Sequence, residues 1–294
     1  MKLYSYRYRG AETFGVAAKD GKLCPAAHCG DAAPFETLLS LLVSGEQRAI
    51  SALQEAALRP HGTLPLEEVE LLAPIPHPAQ DILCLGFNYT EHAEESARYE
   101  EDAFGGQAPS AVYFGKRVDE ALPSGGEIDS HPALTSRLDY EAELAVIIGK
   151  DAKNVSVEDA WDYVFGYTVL NDVSARDVQT AHNQWYFGKS LDTFTPMGPC
   201  IVTAEEIPAP PALRIRSWVN GELRQNSRTD CVLFGIPHVI RELSAGMTLR
   251  AGTILATGTP PGVGMGFTPP RFLKPGDTVE CRIDGIGSLV NTVR

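Results

Sequence analysis

From Asp81 onward the chain is written in short apolar, β-branched and aromatic runs: DILCLGF, SAVYFGK, YEAELAVIIG, FGYTVLND, LRIRSWVNGELR, TILATG and DTVECRIDGIGSLVNTV. Glycine, proline and Asn-Gly steps punctuate them, the pattern of a mainly β domain with a few helices. Within it Val219-Asn220-Gly221-Glu222 reads as a hairpin turn, because Asn-Gly accepts the positive φ angles of a type I′ turn. No segment repeats at a fixed period, which sets solenoids and propellers aside.

Residues 1–75 read differently. A strand-rich start is followed by a Gly/Pro/Cys-containing middle and by apolar residues at helical spacing, which predict one helix over roughly Pro34 to Leu58. The stretch Leu72-Ala-Pro-Ile-Pro-His-Pro favours extended chain and marks a boundary. The expected fold class is therefore α+β, mainly β: a small N-terminal α+β domain (1–75) and a catalytic domain (76–294).

Composition narrows the function. The 294 residues carry a formal net charge of −13 with no basic stripe, so nucleic acid is not an expected partner. No run is long and apolar enough to span a bilayer, and the first residues, MKLYSYRYRGAETFGV, lack a signal-peptide h-region, so a cytoplasmic location without a membrane partner is expected. Six scattered cysteines without a CxxC pair read as reduced thiols. Cys24, His28 and Cys29 have no second ligand pair at zinc spacing.

Acidic residues carry the chemistry. In Asp139-Tyr140-Glu141-Ala142-Glu143-Leu144, the glutamates lie at i and i+2 of a segment that turns apolar and β-branched, so on a strand both point to one face. Adjacent carboxylates must reach solvent, share a proton or bind a cation. A solvated strand edge would account for an isolated pair. Asp172, ending the run that starts at Val164, supplies a third carboxylate at a strand-to-helix transition. Three carboxylates suit hard, oxygen-seeking Mg²⁺ or Mn²⁺.

Other segments add candidates. Asn88 is an expected helix N-cap, and His92 and Glu95 would share a helical face as either a surface ion pair or a general base oriented by a carboxylate. Glu94 and Arg98 read as a surface pair. Lys189, in Trp185-Tyr-Phe-Gly-Lys-Ser, is either solvated or a cation for a substrate carboxylate or oxyanion. The glycine-rich ATGTPPGVGMG loop lacks both nucleotide-binding fingerprints and is either a structural turn or an anion cradle.

In order, GFNYTEHAEE, DYEAELAVIIG, GYTVLNDVSARDVQ, WYFGKSLDTFTPMGP, NGELRQ and TGTPPGVG resemble the fumarylacetoacetate hydrolase superfamily across residues 80–294, in its acylpyruvase and 2-hydroxyhepta-2,4-diene-1,7-dioate isomerase-like branch. The resemblance implies a mixed β-sandwich roll, a homodimer, and Mg²⁺ or Mn²⁺ held by Glu141, Glu143 and Asp172. It makes His92 and Glu95 a water-activating dyad and Lys189, with Gln179, an oxyanion and substrate group. Thr259 would contact the substrate carboxylate, Arg176 would support the site, and Tyr89 falls among the substrate-binding residues. The expected reaction is hydrolysis of a C–C bond in a small 2,4-dioxo acid. Oxaloacetate-type decarboxylation or keto–enol isomerisation is the alternative, and a non-catalytic acid-binding protein a third reading.

Overall fold

The structure is a computed structural model that describes residues 1–89 and 110–294. Its N-terminal strands β1 (Lys2–Tyr8), β2 (Ala11–Ala17) and β3 (Leu23–Pro25) form a meander, with the short β4 (Glu70–Leu71) on β1. The segment expected to be one helix is two, α1 (Leu38–Ser44) and α2 (Gln47–Leu58). Gly45 separates them at φ 67°, a left-handed helix end that glycine adopts without strain, so the apolar periodicity continues while the backbone turns.

Downstream come β5 (Ile82–Gly86), β6 (Val112–Lys116), β7 (Glu127–Ile128), β8 (Leu138–Asp139) and β9 (Ala142–Ile148). Next are β10 (Val164–Asn171), β11 (Ser174–Ala175), the helices α3 (Arg176–Ala181) and α4 (Tyr186–Lys189), and β12 (Met197–Thr203). The chain ends with β13 (Arg214–Val219), β14 (Glu222–Arg228), α5 (Ile236–Gly246), β15 (Ile254–Ala256), β16 (Thr278–Ile283) and β17 (Gly287–Val293).

Among the described residues, the main sheet runs β3-β2-β1-β12-β10-β9-β15-β5-β6, and a second runs β14-β13-β16-β17-β7. The β1–β12 pairing carries the main sheet across the sequence boundary near residue 75. The turn at Asn220-Gly221 is the expected one, with φ 51° and 79° and Val219 paired to Glu222. The mainly β, α+β architecture expected from the sequence is the one observed.

β9 explains where the core and the site lie. It is buried along its whole length, and its alternation divides two cores. Ala142, Leu144, Val146 and Ile148 belong to the core shared with the second sheet. Ala145 and Ile147 belong to the core that also holds Leu38, Leu41 and Leu53 of α1 and α2. Glu141 and Glu143 share the parity of this second set, at the end where β9 begins.

Five of the six cysteines are buried, and only Cys231 is exposed. Burial, reinforced by the Cys24 sulfur 3.6 Å away, pushes the Cys29 thiol up to about 12, and burial likewise raises Cys84 and Cys281. A disulfide reagent such as DTNB at pH 8 is therefore expected to modify one thiol quickly in the native protein and all six after denaturation. A second fast thiol in the native protein would contradict this burial pattern.

Candidate active site

The Glu141, Glu143 and Asp172 side chains, all buried, each offer an oxygen, and these oxygens lie within 4.8 Å of one another. The period-two reading of the ExE pair is realised. Asp172 follows β10 directly, and β10 pairs with β9 in a register that sets Asn171 opposite Ala142 and Leu170 opposite Glu143. The Asn171 side-chain carbonyl accepts from the Glu141 amide at 3.0 Å, and the Glu141 carbonyl accepts from the Asp172 amide at 2.9 Å.

Each carboxylate has one oxygen held by an outer partner. Lys116 Nζ donates to Asp172 Oδ1 at 2.7 Å, Arg176 NH1 to Glu141 Oε1 at 2.7 Å, and the Gly258 amide to Glu143 Oε2 at 2.8 Å. Such partners fix which oxygen turns inward. Lys189 Nζ bridges the inner oxygens Glu141 Oε2 and Asp172 Oδ2, each at 2.8 Å. Burial alone would lower the pKa of Lys189, but the Asp172 and Glu141 carboxylates more than reverse that and hold it above the ordinary lysine value. Lys189 is thus a hydrogen-bond donor at neutral pH, set at the end of the helical turn α4.

Glu143 is different. Among the described residues it has no cation within ion-pair distance, and burial followed by the Asp172 and Glu141 charges pushes its carboxyl well above the usual range. Four buried carboxylates, counting Asp139, face three buried cations, Lys116, Lys189 and Arg176. A hard divalent cation fits this donor set, since it supplies the charge that Glu143 lacks and takes oxygen ligands. It is the only cluster of three or more metal-capable side chains found among the described residues.

Arg176 anchors the wall beside the cluster. Its Nε donates to Asp139 Oδ2 at 2.9 Å, and its NH1 also donates to Gln179 Oε1 at 3.2 Å. Its NH2 is buried with no hydrogen-bond partner among the described residues. Arg176, Gln179, Lys189, Glu141, Thr259 and Trp185 line one pocket. Two glycines allow this crowding. A Cβ on Gly86 would overlap the Trp185 ring, and one on Gly188 would sit 2.5 Å from the Gln179 amide nitrogen, prising α4 and its Lys189 away from α3.

The other sequence candidates have varied placements. The Thr259 hydroxyl is buried in the scaffold, donating to the Ala142 carbonyl at 3.0 Å and accepting from Gln225 Nε2 at 2.7 Å. Tyr89 is buried, its hydroxyl unpartnered among the described residues, close enough to Glu143 for that carboxylate to help raise its pKa after burial itself. The Asn88 Nδ2 donates to the Thr257 and Phe234 carbonyls and its Oδ1 accepts from the Phe234 amide, while the helix it was expected to cap lies outside the described residues. The glycine-rich loop turns amides of Gly258, Gly264 and Met265 onto Glu143 and Asp139. His92, Glu95, Glu94 and Arg98 lie outside the described residues.

Sequence reasoning missed Lys116, Asp139 and Gln225. Lys116 is wholly buried, and its Nζ also donates to the Val173 and Lys189 carbonyls at 3.1 and 2.5 Å. Its one signal was a lysine closing an apolar strand. Asp139 sat in plain view beside the ExE pair.

A mixed β architecture with a buried acidic triad, flanked by a lysine and an arginine, defines a metal-dependent class of small-acid enzymes. The chain belongs to the fumarylacetoacetate hydrolase family: residues 81–294 match the fumarylacetoacetate (FAA) hydrolase C-terminal model. It is similar to oxaloacetate tautomerase YisK of Bacillus subtilis, 46% identical over 87% of this chain and 86% of that one. Among solved structures it is similar to the fumarylacetoacetate hydrolase of Exiguobacterium antarcticum, 37% identical with a TM-score of 0.86 over 100% of this chain and 99% of that one. It is also similar to the maleylpyruvate hydrolase of Sphingobium sp. SYK-6 in complex with manganese(II) and pyruvate, 31% identical with a TM-score of 0.76 over 100% and 98%. No helix among the described residues is long and apolar enough to cross a membrane.

Proposed function

We propose that the chain is a divalent-metal-dependent enzyme that enolises a small 2-oxo acid, and that keto–enol tautomerisation of an oxaloacetate-type diacid is its reaction. The observation that carries this reading is the juxtaposition of the acidic triad with the buried Lys189, whose Nζ bridges Glu141 and Asp172 and which lines a pocket together with Glu141. The 46% identity to a relative named oxaloacetate tautomerase supports the substrate class.

Glu141, Glu143 and Asp172 would hold Mg²⁺ or Mn²⁺, which when bound supplies Lewis-acid polarisation of the 2-oxo group. Arg176, through its NH2, which is unpartnered among the described residues, and Gln179, through its amide, would take the substrate carboxylate. Lys189 donates a hydrogen bond to the oxygen on which negative charge builds. In tautomerisation a proton leaves the carbon beside the 2-oxo group, one is delivered to that oxygen, and no carbon–carbon bond breaks. His92, oriented by Glu95, would take the carbon proton.

Hydrolysis of a 2,4-dioxo acid, favoured from the sequence on the strength of His92 and Glu95, is the second reading. The likeness to a maleylpyruvate hydrolase favours it. There the same dyad would deprotonate water attacking the distal carbonyl, and the carbon–carbon bond would break to give a carboxylic acid and an enolate.

The test is a paired assay of wild type and His92→Ala, with Mn²⁺ or with EDTA, on enol-oxaloacetate by its ultraviolet absorbance and on an acylpyruvate by its cleavage products. Metal-dependent tautomerisation at least ten-fold faster than cleavage is expected, with EDTA abolishing it. Faster cleavage, lost in His92→Ala, would install the hydrolase reading instead. Neither reaction, with no response to metal, would overturn both.

A further inference from the structure

The two glutamates that flank Ala142 owe their setting to a residue of the other sheet. Gln225, on β14, is wholly buried and fully hydrogen-bonded. Its Oε1 accepts from the Ala142 amide at 3.0 Å, and its Nε2 donates to Thr259 Oγ1 and to the Pro260 carbonyl, each at 2.7 Å. The amide can sit only one way round, because the reverse would set its NH2 against the Ala142 N–H. Thr259 closes the circuit by donating its hydroxyl to the Ala142 carbonyl at 3.0 Å. Both backbone groups of the residue between Glu141 and Glu143 are thus held through one side-chain pair.

Two further observations show this contact to be built in. β14 carries a bulge: Ser217 pairs with Gln225 but Trp218 with Leu223, leaving Arg224 as an extra residue. A bulge bends a strand and re-aims its side chains. At the same place the loop after β15 comes so close that a Cβ on Gly262 would overlap the Arg224 carbonyl and stand 3.2 Å from the Gln225 Cα. Gly262, at φ 104°, has the backbone conformation that glycine tolerates best.

We infer that Gln225 is a positioning residue for the cation site, fixing the relative placement of Glu141 and Glu143 by clamping Ala142 to the Thr259–Pro260 loop. The inference rests on the proposed metal-binding role of those glutamates. Gln225 is not among the residues that line the pocket. Its effect passes through the backbone between two ligands and through the loop whose Gly258 amide holds Glu143.

The experiment is Gln225→Met, which keeps length and apolar bulk but deletes all three hydrogen bonds, read by calorimetric Mn²⁺ titration of the full chain without substrate. Ile240→Val, a core truncation in α5, is the control for loss of stability alone. Loss of an outer partner of a metal site typically weakens affinity about 10- to 100-fold. Gln225→Met is expected to weaken Mn²⁺ binding by at least about ten-fold, whereas Ile240→Val keeps the wild-type affinity. Thr259→Val, which keeps shape and cuts the other half of the circuit, should act in the same direction and serves if Gln225→Met does not fold. Gln225→Met or Thr259→Val with Mn²⁺ affinity within two-fold of wild type would overturn the inference and leave the metal site standing. A wild type that binds no Mn²⁺ or Mg²⁺ would overturn the site reading itself, and this inference with it.

Discussion

Lys189→Met is expected to lower kcat on the enolisable 2-oxo acid by about 100- to 1,000-fold, the usual cost of losing one preorganised oxyanion donor. Methionine matches the bulk of the lysine stem, so packing over Phe114, whose ring centre lies 5.2 Å from Nζ, is largely kept. The charge is what goes. The inner oxygens of Glu141 and Asp172 then lose their shared cation, so the variant in EDTA should melt well below wild type, and excess Mn²⁺ should restore more of that loss than it adds to wild type. The pH dependence has a definite sign. A lysine whose folded pKa is raised contributes stability fully present below its unfolded value and lost only as pH rises through the folded value. The fold-loss in kcat should therefore be constant between pH 6 and 9. A loss that vanished at pH 9 would show that Lys189 titrates within that window, and the donor role would fail.

The second large effect is on stability. Lys116→Met removes a cation that is 0% exposed and that holds Asp172 Oδ1 and the Val173 and Lys189 carbonyls together. Breaking a buried pair by deleting one partner costs about 3–5 kcal/mol when the other charge is left uncompensated; Asp172 keeps Lys189 at 2.8 Å on its other oxygen, so a loss at the lower end of that range is expected. For a chain of this size that is a fall in Tm on the order of 2 °C per kcal/mol. Burial pulls the Lys116 pKa down, with Asp172 the main opposing influence, so the residue persists in this place because its three hydrogen bonds are all made. Thermal melts of wild type and Lys116→Met at pH 7 decide the matter. A change in Tm under 2 °C would mean that Lys189 alone compensates Asp172 and that Lys116 is dispensable to the scaffold.

What the amino-acid order made readable, and what it hid, follow from the range of the interactions. Glu141 and Glu143 were legible because strand periodicity is local: two residues apart means one face. Asp172 was legible because an apolar run stopped at it. The Asn220-Gly221 turn was legible because its φ requirements belong to the two residues themselves. Gly45 was harder, since the apolar spacing continues across it and only its backbone angle divides the helix. Lys116 and Gln225 were hidden for a different reason. Each acts on a residue brought close by strand pairing and sheet packing, and a lysine or glutamine in a β run looks the same whether it faces water or an aspartate in the core. The threonines of the loop after β15 were half legible. Proximity to the pocket was expected of Thr259, but that its hydroxyl is committed to Ala142 depends on the loop continuing alongside β9.

The long-range wiring of the pocket bears on how the chain comes to be folded. Lys116 and Asp172 are 56 positions apart, Lys189 and Glu141 48, Ala142 and Gln225 83, and Glu143 and Gly258 115. Lys189 and Asp172 are nearer, 17 positions apart, but among the described residues the rest of the cluster needs loop closure at several distant points before its ions are compensated. A chain that has formed β9 and β10 but not yet docked β6, β14 and the loop after β15 holds an acidic face that water must still solvate. In the folded chain, with all of these elements docked, the face is buried. The pocket thereby acts as a lock on its own assembly: partly finished forms are held open by the electrostatics that, once every strand has arrived, close it.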